Sequence, residues 1–155
     1  MSKAKSMSTG MSHIGICVRD LDLSLGFYRD VLGMEVLRDE MIVADVVPEH
    51  LYADRYEGAR RIVYLRYCEA AGAPTLVMSE NPQTGVPRPL LLDQVGVHHI
   101  AFGVPDVESL MQELTARGAQ VFGPAQSYRG ADGRMRTVFF RDPDGLLVQF
   151  DEELF

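Results

Sequence analysis

The sequence has little of several things, and each shortage narrows what the chain does. It has two cysteines, Cys17 and Cys68, too few for a disulfide framework or a multi-cysteine zinc site. It has no tryptophan. No apolar run approaches the roughly 20 residues that span a bilayer. The lysines of Met1–Gly10 are followed by no apolar core, so this stretch is not a secretory signal. Basic charge is short as well: 15 Lys and Arg against 22 Asp and Glu leave a net charge of −7. A chain that grips a phosphate backbone needs a basic face, and the sequence supplies none beyond short groups such as Arg60-Arg61 and Arg134 with Arg136. Nucleic acid and anionic membrane are therefore excluded as partners, and a small neutral or cationic molecule suits the field better. A cytoplasmic protein with free thiols is expected.

What is present is an ordinary globular composition, 46% hydrophobic and 24% charged over 155 residues, enough for one domain with its own core. Residues 1–11 read as a disordered tail and 12–155 as a single domain.

An internal repeat organises that domain. His13-Ile-Gly-Ile-Cys-Val-Arg-Asp20 matches His99-Ile-Ala-Phe-Gly-Val-Pro-Asp106, 86 positions later. Both runs alternate as strands and end at an aspartate that leads into a helical pattern. Leu21, Leu25, Tyr28 and Leu32 form the first helical stripe, and Val107, Leu110, Met111 and Leu114 the second. Gly33 and Gly118 close them. Val63-Tyr64-Leu65 matches Val138-Phe139-Phe140 at an offset of 75, and Leu76-Val77-Met78 matches Leu147-Val148-Gln149 at 71. The shrinking offset places extra residues in the first half, at 46–58. Each half therefore reads β-α-β-β-β, an α+β chain with module one at 12–81, a linker at 82–94 and module two at 95–152. Strands are expected at 13–18, 34–43, 61–68, 74–80, 97–104, 119–122, 134–141 and 146–151, and helices at 21–32 and 107–117. Asp142-Pro-Asp-Gly145 is a turn.

Strand alternation assigns faces. Ile14, Ile16 and Val18 pack inward, leaving His13, Gly15 and Cys17 opposite. Ile100, Phe102 and Val104 pack inward, leaving His99, Ala101 and Gly103. A histidine beside two small residues, in both halves, is expected to wall a cavity. By the same alternation His98 faces away from His99 and is structural.

These residues carry a resemblance. His-Ile-Gly-Ile with Phe27-Tyr28 and Leu32-Gly33, then His98-His-Ile-Ala-Phe102, then Phe139-Phe-Arg-Asp-Pro-Asp-Gly145, resemble the vicinal oxygen chelate superfamily. That group includes glyoxalase I, methylmalonyl-CoA epimerase, extradiol dioxygenases and bleomycin- and fosfomycin-resistance proteins. The resemblance spans Ser12 to Glu152. It implies two βαβββ modules in pseudo-twofold arrangement, their sheets curled round a cleft that holds a divalent ion (Zn, Fe, Mn, Ni or Co), and a homodimer. It places ligands on the first and last strands of each module: His13, His99 and Gln149, with Met78 at the fourth position. Family members usually carry an acid there, so Met78 and Gln149 depart from the pattern. Glu80 and Asp151 lie two residues further along and are candidate bases. Met78, Cys17 and Arg136 are candidate substrate contacts.

Two functions follow. One is a divalent-metal-dependent lyase, isomerase, epimerase or dioxygenase that acts on a small oxygen-chelating substrate through an enolate-type intermediate. The other is a non-catalytic antibiotic-binding protein that uses the same cleft and needs no base.

Overall fold

The computed structural model describes residues 8, 10–43, 51, 58–82, 85 and 88–152. The expectations for the tail at 1–11 and the extra residues at 46–58 fall mostly outside the described residues. Among the described residues there are seven strands: β1 His13–Val18, β2 Glu35–Val43, β3 Ala59–Arg66, β4 Thr75–Glu80, β5 His99–Val104, β6 Thr137–Arg141 and β7 Leu147–Glu152. The helices are α1 Leu21–Leu25, continued by a π-helical turn Gly26–Val31, and α2 Val107–Ala116. The chain is thus a mixed α+β protein with a four-stranded sheet in the order β1-β4-β3-β2 and a three-stranded sheet in the order β5-β7-β6. In each sheet the first and last strands of one repeat are parallel neighbours. No helix among the described residues is long and apolar enough to cross a membrane.

The strand expected at 119–122 is reduced to one bridge between Val121 and Phe140. Glycines at positive φ, Gly118 and Gly123, bracket it and Pro124 follows. Too few residues remain between these breaks for a ladder.

Two compact units divide the chain. The first is Met1–Leu21 with Gly33–Gln83, and the second is Asp22–Leu32 with Thr84–Phe155. The first unit buries Val18, Leu21, Met34, Val63, Leu65, Leu76 and Met78. Glu80 accepts the backbone N–H of Leu21 at 2.9 Å through Oε1, satisfying one of the N-terminal donors that α1 cannot pair internally.

The second unit packs β5, β6 and β7 with α2 and with residues 22–32. α2 starts at Asp106, whose carboxylate accepts the Ser109 N–H at 2.9 Å, and Gly118 ends it at φ +95°, the left-handed conformation of a helix C-cap. The π turn bonds Leu32 N–H to the Phe27 carbonyl at 2.9 Å. Tyr28 there is wholly buried and donates its hydroxyl to Asp142 Oδ2 at 2.9 Å. The other carboxylate oxygen of Asp142 accepts the N–H groups of Asp144 and Leu146 at 3.0 and 2.8 Å. This closes the Asp-Pro-Asp-Gly turn with its own side chain. Burial pushes the Asp142 carboxyl up, and the Tyr28 hydroxyl opposes that rise.

Candidate functional site

Each sheet has one face in its core and one open face. In the second unit, register puts Ala101, Gln149 and Phe139 in one row and Gly103, Asp151 and Thr137 in the next. Ala101 and Gly103 put only small residues at the row ends beside Gln149 and Asp151. The Gln149 amide is held firmly. Its Nε2 lies 3.1 Å from Thr137 Oγ1 and 2.8 and 2.9 Å from the two Asp151 oxygens. A carboxylate only accepts, so the amide orientation is fixed with Nε2 on Asp151 and Oε1 turned away from it.

His99 stands one row below, edge-on to the Phe139 ring at 5.7 Å between centroids. Tyr128 stacks on Phe139 at 6.2 Å and donates its hydroxyl to the Phe122 carbonyl, so this wall presents ring carbon. His99 Nδ1 lies 2.6 Å from His98 Nδ1. Burial holds the His99 imidazole below its usual value, His98 adds to the drop, and Asp151 opposes it. His99 is therefore a neutral imidazole at neutral pH.

In the first unit His13 is exposed on β1, its Nδ1 3.0 Å from Ser12 Oγ. Thr75, Val77 and Ser79 share its face, because β1 pairs in register His13 with Thr75, Gly15 with Val77 and Cys17 with Ser79. Tyr64 and Ile62 extend those rows across β3. Arg38 lies over the Tyr64 ring at 5.0 Å and pairs with Glu40 at 2.7 Å.

This register corrects the alignment of the last strands. Met78 and Glu80 lie on the core face, opposite His13. Met78 is 0% exposed and packs in the core, and Glu80 accepts the Leu21 N–H. The structural counterpart of Gln149 is Val77, and that of Asp151 is Ser79, an offset of 72. Matching Leu76-Val77 to Leu147-Val148 by likeness slipped the strand by one residue, which flips every side chain to the other face. Arg136, just before β6, is partly exposed. Its guanidinium pairs with Asp132 four residues back and holds that carboxyl down to about 2. Cys17 is exposed, as a free thiol on the His13 face. His98 lies beside His99, with ring centroids 4.7 Å apart and planes 26° from parallel. β5 begins at His99, so strand alternation does not govern His98. Phe139 was legible from its register with Gln149; Tyr128, from a short 3-10 turn at 125–128, was not.

Among the described residues no group of three or more His, Cys, Asp or Glu side chains is gathered for a metal. What the second unit offers is one imidazole nitrogen and one amide oxygen. That neutral set fits an ion that takes imidazole, such as Zn, Ni, Co or Fe, and not Mg or Ca, which take oxygen-rich sets.

The family model described as Glyoxalase/Bleomycin resistance protein/Dioxygenase superfamily matches residues 10–150. The chain belongs to that superfamily. Within it, the chain is 31% identical over 140 residues to a lactoylglutathione lyase of Haemophilus influenzae, covering 90% of each chain. It is 27% identical over 148 residues to an ethylmalonyl-CoA/methylmalonyl-CoA epimerase of Cereibacter sphaeroides, covering 92% of this chain and 96% of the relative. Among solved structures, the trypanothione-dependent glyoxalase I of Leishmania major aligns with a TM-score of 0.66 at 27% identity, covering 94% of this chain and 88% of that one. The glyoxalase relatives thus span essentially the whole chain, both sheets included.

Proposed function

We propose that the chain is a divalent-metal-dependent enzyme that moves a proton at the carbon next to the carbonyl of a small acyl thioester or 2-oxo compound. The names of its relatives support this substrate class. Lactoylglutathione and methylmalonyl-CoA are both acyl thioesters, and both carry a proton on the carbon beside the thioester carbonyl. The observation that carries the reading is the open face of the second unit, where His99, the Gln149 amide and the Asp151 carboxylate stand on adjoining rows.

We assign His99 and Gln149 as ligands on the second unit, and His13 as a ligand on the first. The ion, when bound, supplies Lewis-acid polarisation of neighbouring substrate oxygens. Asp151 takes the carbon-bound proton and returns it, and the Phe139–Tyr128 wall lies against the apolar part of the substrate and excludes water from it. Cys17 and Gly15 line the face of His13. A cytoplasmic homodimer belongs to the same reading, and sedimentation tests the assembly.

One observation favours a second reading. Val77 occupies the strand position that matches Gln149, so neither sheet puts a carboxylate there. A cleft that only binds needs none. The deciding experiment is metal analysis of untagged protein, followed by turnover assays on 2-oxoaldehyde–glutathione adducts, methylmalonyl-CoA, ethylmalonyl-CoA and catechols. Turnover that falls roughly 10²–10⁴-fold in Asp151→Asn, with KM within a few-fold, is expected. No turnover, with tight binding of a cationic antibiotic, replaces the enzyme by the binding protein.

A further inference from the structure

We infer that His98 is a positioning residue that sets the tautomer of His99: its Nδ1 accepts the Nδ1 proton of His99 and so leaves the His99 Nε2 lone pair bare. The two Nδ1 atoms lie 2.6 Å apart, a hydrogen-bond distance that holds one proton between them. A neutral imidazole has one nitrogen that donates and one that accepts. Whichever ring gives its Nδ1 proton therefore has a free lone pair on Nε2, and the other ring carries N–H there.

The choice matters because the two tautomers of His99 do opposite things. With the proton on Nδ1, Nε2 binds a cation or takes a proton. With the proton on Nε2, the same atom only donates. A neutral histidine side chain alone in water favours the Nε2–H form, so a histidine that is to act through Nε2 needs an acceptor at Nδ1. Metal-ligating histidines commonly find it in a carboxylate or a carbonyl. Here it is a second imidazole, adjacent in sequence, brought alongside because His98 precedes β5 and is free of strand alternation. The two rings lie 26° from parallel with centroids 4.7 Å apart, so they meet edge to edge with the Nδ1 atoms aimed at each other, and the Phe139 ring packs against His99. The direction of the shared proton rests on the proposed role of His99 as a donor through Nε2.

Nitrogen-15 NMR reads both tautomers directly, on the full-length protein stripped of metal with chelator at pH 8. The expected wild-type spectrum has His99 protonated at Nδ1 and bare at Nε2. His98→Phe keeps an aromatic ring but removes the acceptor, so His99 shifts to the Nε2–H form. Ni²⁺ affinity, measured by calorimetry, then falls roughly 10–100-fold, as for loss of other outer partners of metal-binding histidines. His98→Asn restores an acceptor oxygen and brings both the tautomer and the affinity back to within a few-fold. A wild-type His99 already in the Nε2–H form overturns the inference, as does a tautomer unmoved by His98→Phe. If His98→Phe does not fold, the wild-type spectrum alone settles the direction. A tautomer that shifts as expected in a protein that binds no Ni²⁺ upholds the role of His98 and removes the metal from the proposed function.

Discussion

Asp151 holds the amide of Gln149 by both carboxylate oxygens, 2.8 and 2.9 Å from Nε2. An amide free to rotate would turn its oxygen toward Asp151 half the time; this one keeps its nitrogen there and its oxygen turned away. Removing the carboxylate in Asp151→Ala is therefore expected to weaken Ni²⁺ or Co²⁺ binding roughly 10–100-fold although Asp151 is no ligand. Titration of metal-free protein measures it, and unchanged affinity would separate Gln149 from the metal.

Glu80 is expected to matter for stability and not for turnover. Its carboxylate satisfies the Leu21 N–H at the start of α1. Glu80→Ala should cost about 1–2 kcal/mol in urea unfolding, in the range of a lost helix cap, while kcat and KM stay at wild-type values. Lost turnover at full stability would return Glu80 to the site.

Val77 is the position at which to add what the first unit lacks. It shares the face of His13, one row along. Val77→Glu is expected to tighten divalent-metal binding by roughly tenfold, about 1.4 kcal/mol, since it adds a charged oxygen donor beside the imidazole. The same titration reads the gain. Weaker binding would place the ion away from the β1–β4 face.

Tyr28→Phe removes one of the donors to the buried Asp142. A loss of about 1.5–3 kcal/mol is expected, the range for hydrogen bonds to charged groups, with the Asp142 carboxyl rising further because a donor to its ionised form is gone. Thermal unfolding gives the first and carbon-13 NMR of the carboxyl gives the second. An undiminished melting temperature would make the contact neutral.

His99 sets a pH dependence of stability. Its folded value is lowered, by burial first and by His98 second, so the unfolded chain binds more protons near its ordinary value of about 6.5. The contribution is complete above that value and is lost as pH falls below it. In chelated protein, urea midpoints should fall from pH 7.5 to 5.5, and less steeply in His99→Gln. Equal slopes would show that His99 is as easily protonated in the fold as out of it.

The fold was legible because its signals were redundant. His13 and His99, the helical stripes and the two closing glycines all repeat at nearly one offset, and Tyr64 matches Phe139 in both sequence and register. The site was legible only where strand starts were certain. Leucine–valine pairs occur in both last strands, so residue likeness favoured an offset of 71 over 72. The core face admits Met78 and the open face Val77 with little difference in hydrophobicity. Hydrogen bonding decides the matter, and a hydrogen-bond register between β1 and β4, which start 62 residues apart, leaves no trace in either strand's own pattern. His98 failed for a related reason: a residue just before a strand obeys the turn that delivers it.

Residues 22–32 belong to the second unit, and this orders events during synthesis. Tyr28 leaves the ribosome 114 positions ahead of Asp142, its hydroxyl's acceptor. Until the last strands emerge, that helical segment has nowhere to bury its aromatic side. Loop closure over such a span is slow compared with local helix formation. The nascent first half therefore waits with Phe27 and Tyr28 uncovered. It is at this stage, rather than in the finished molecule, that the chain is most open to aggregation and most in need of a chaperone.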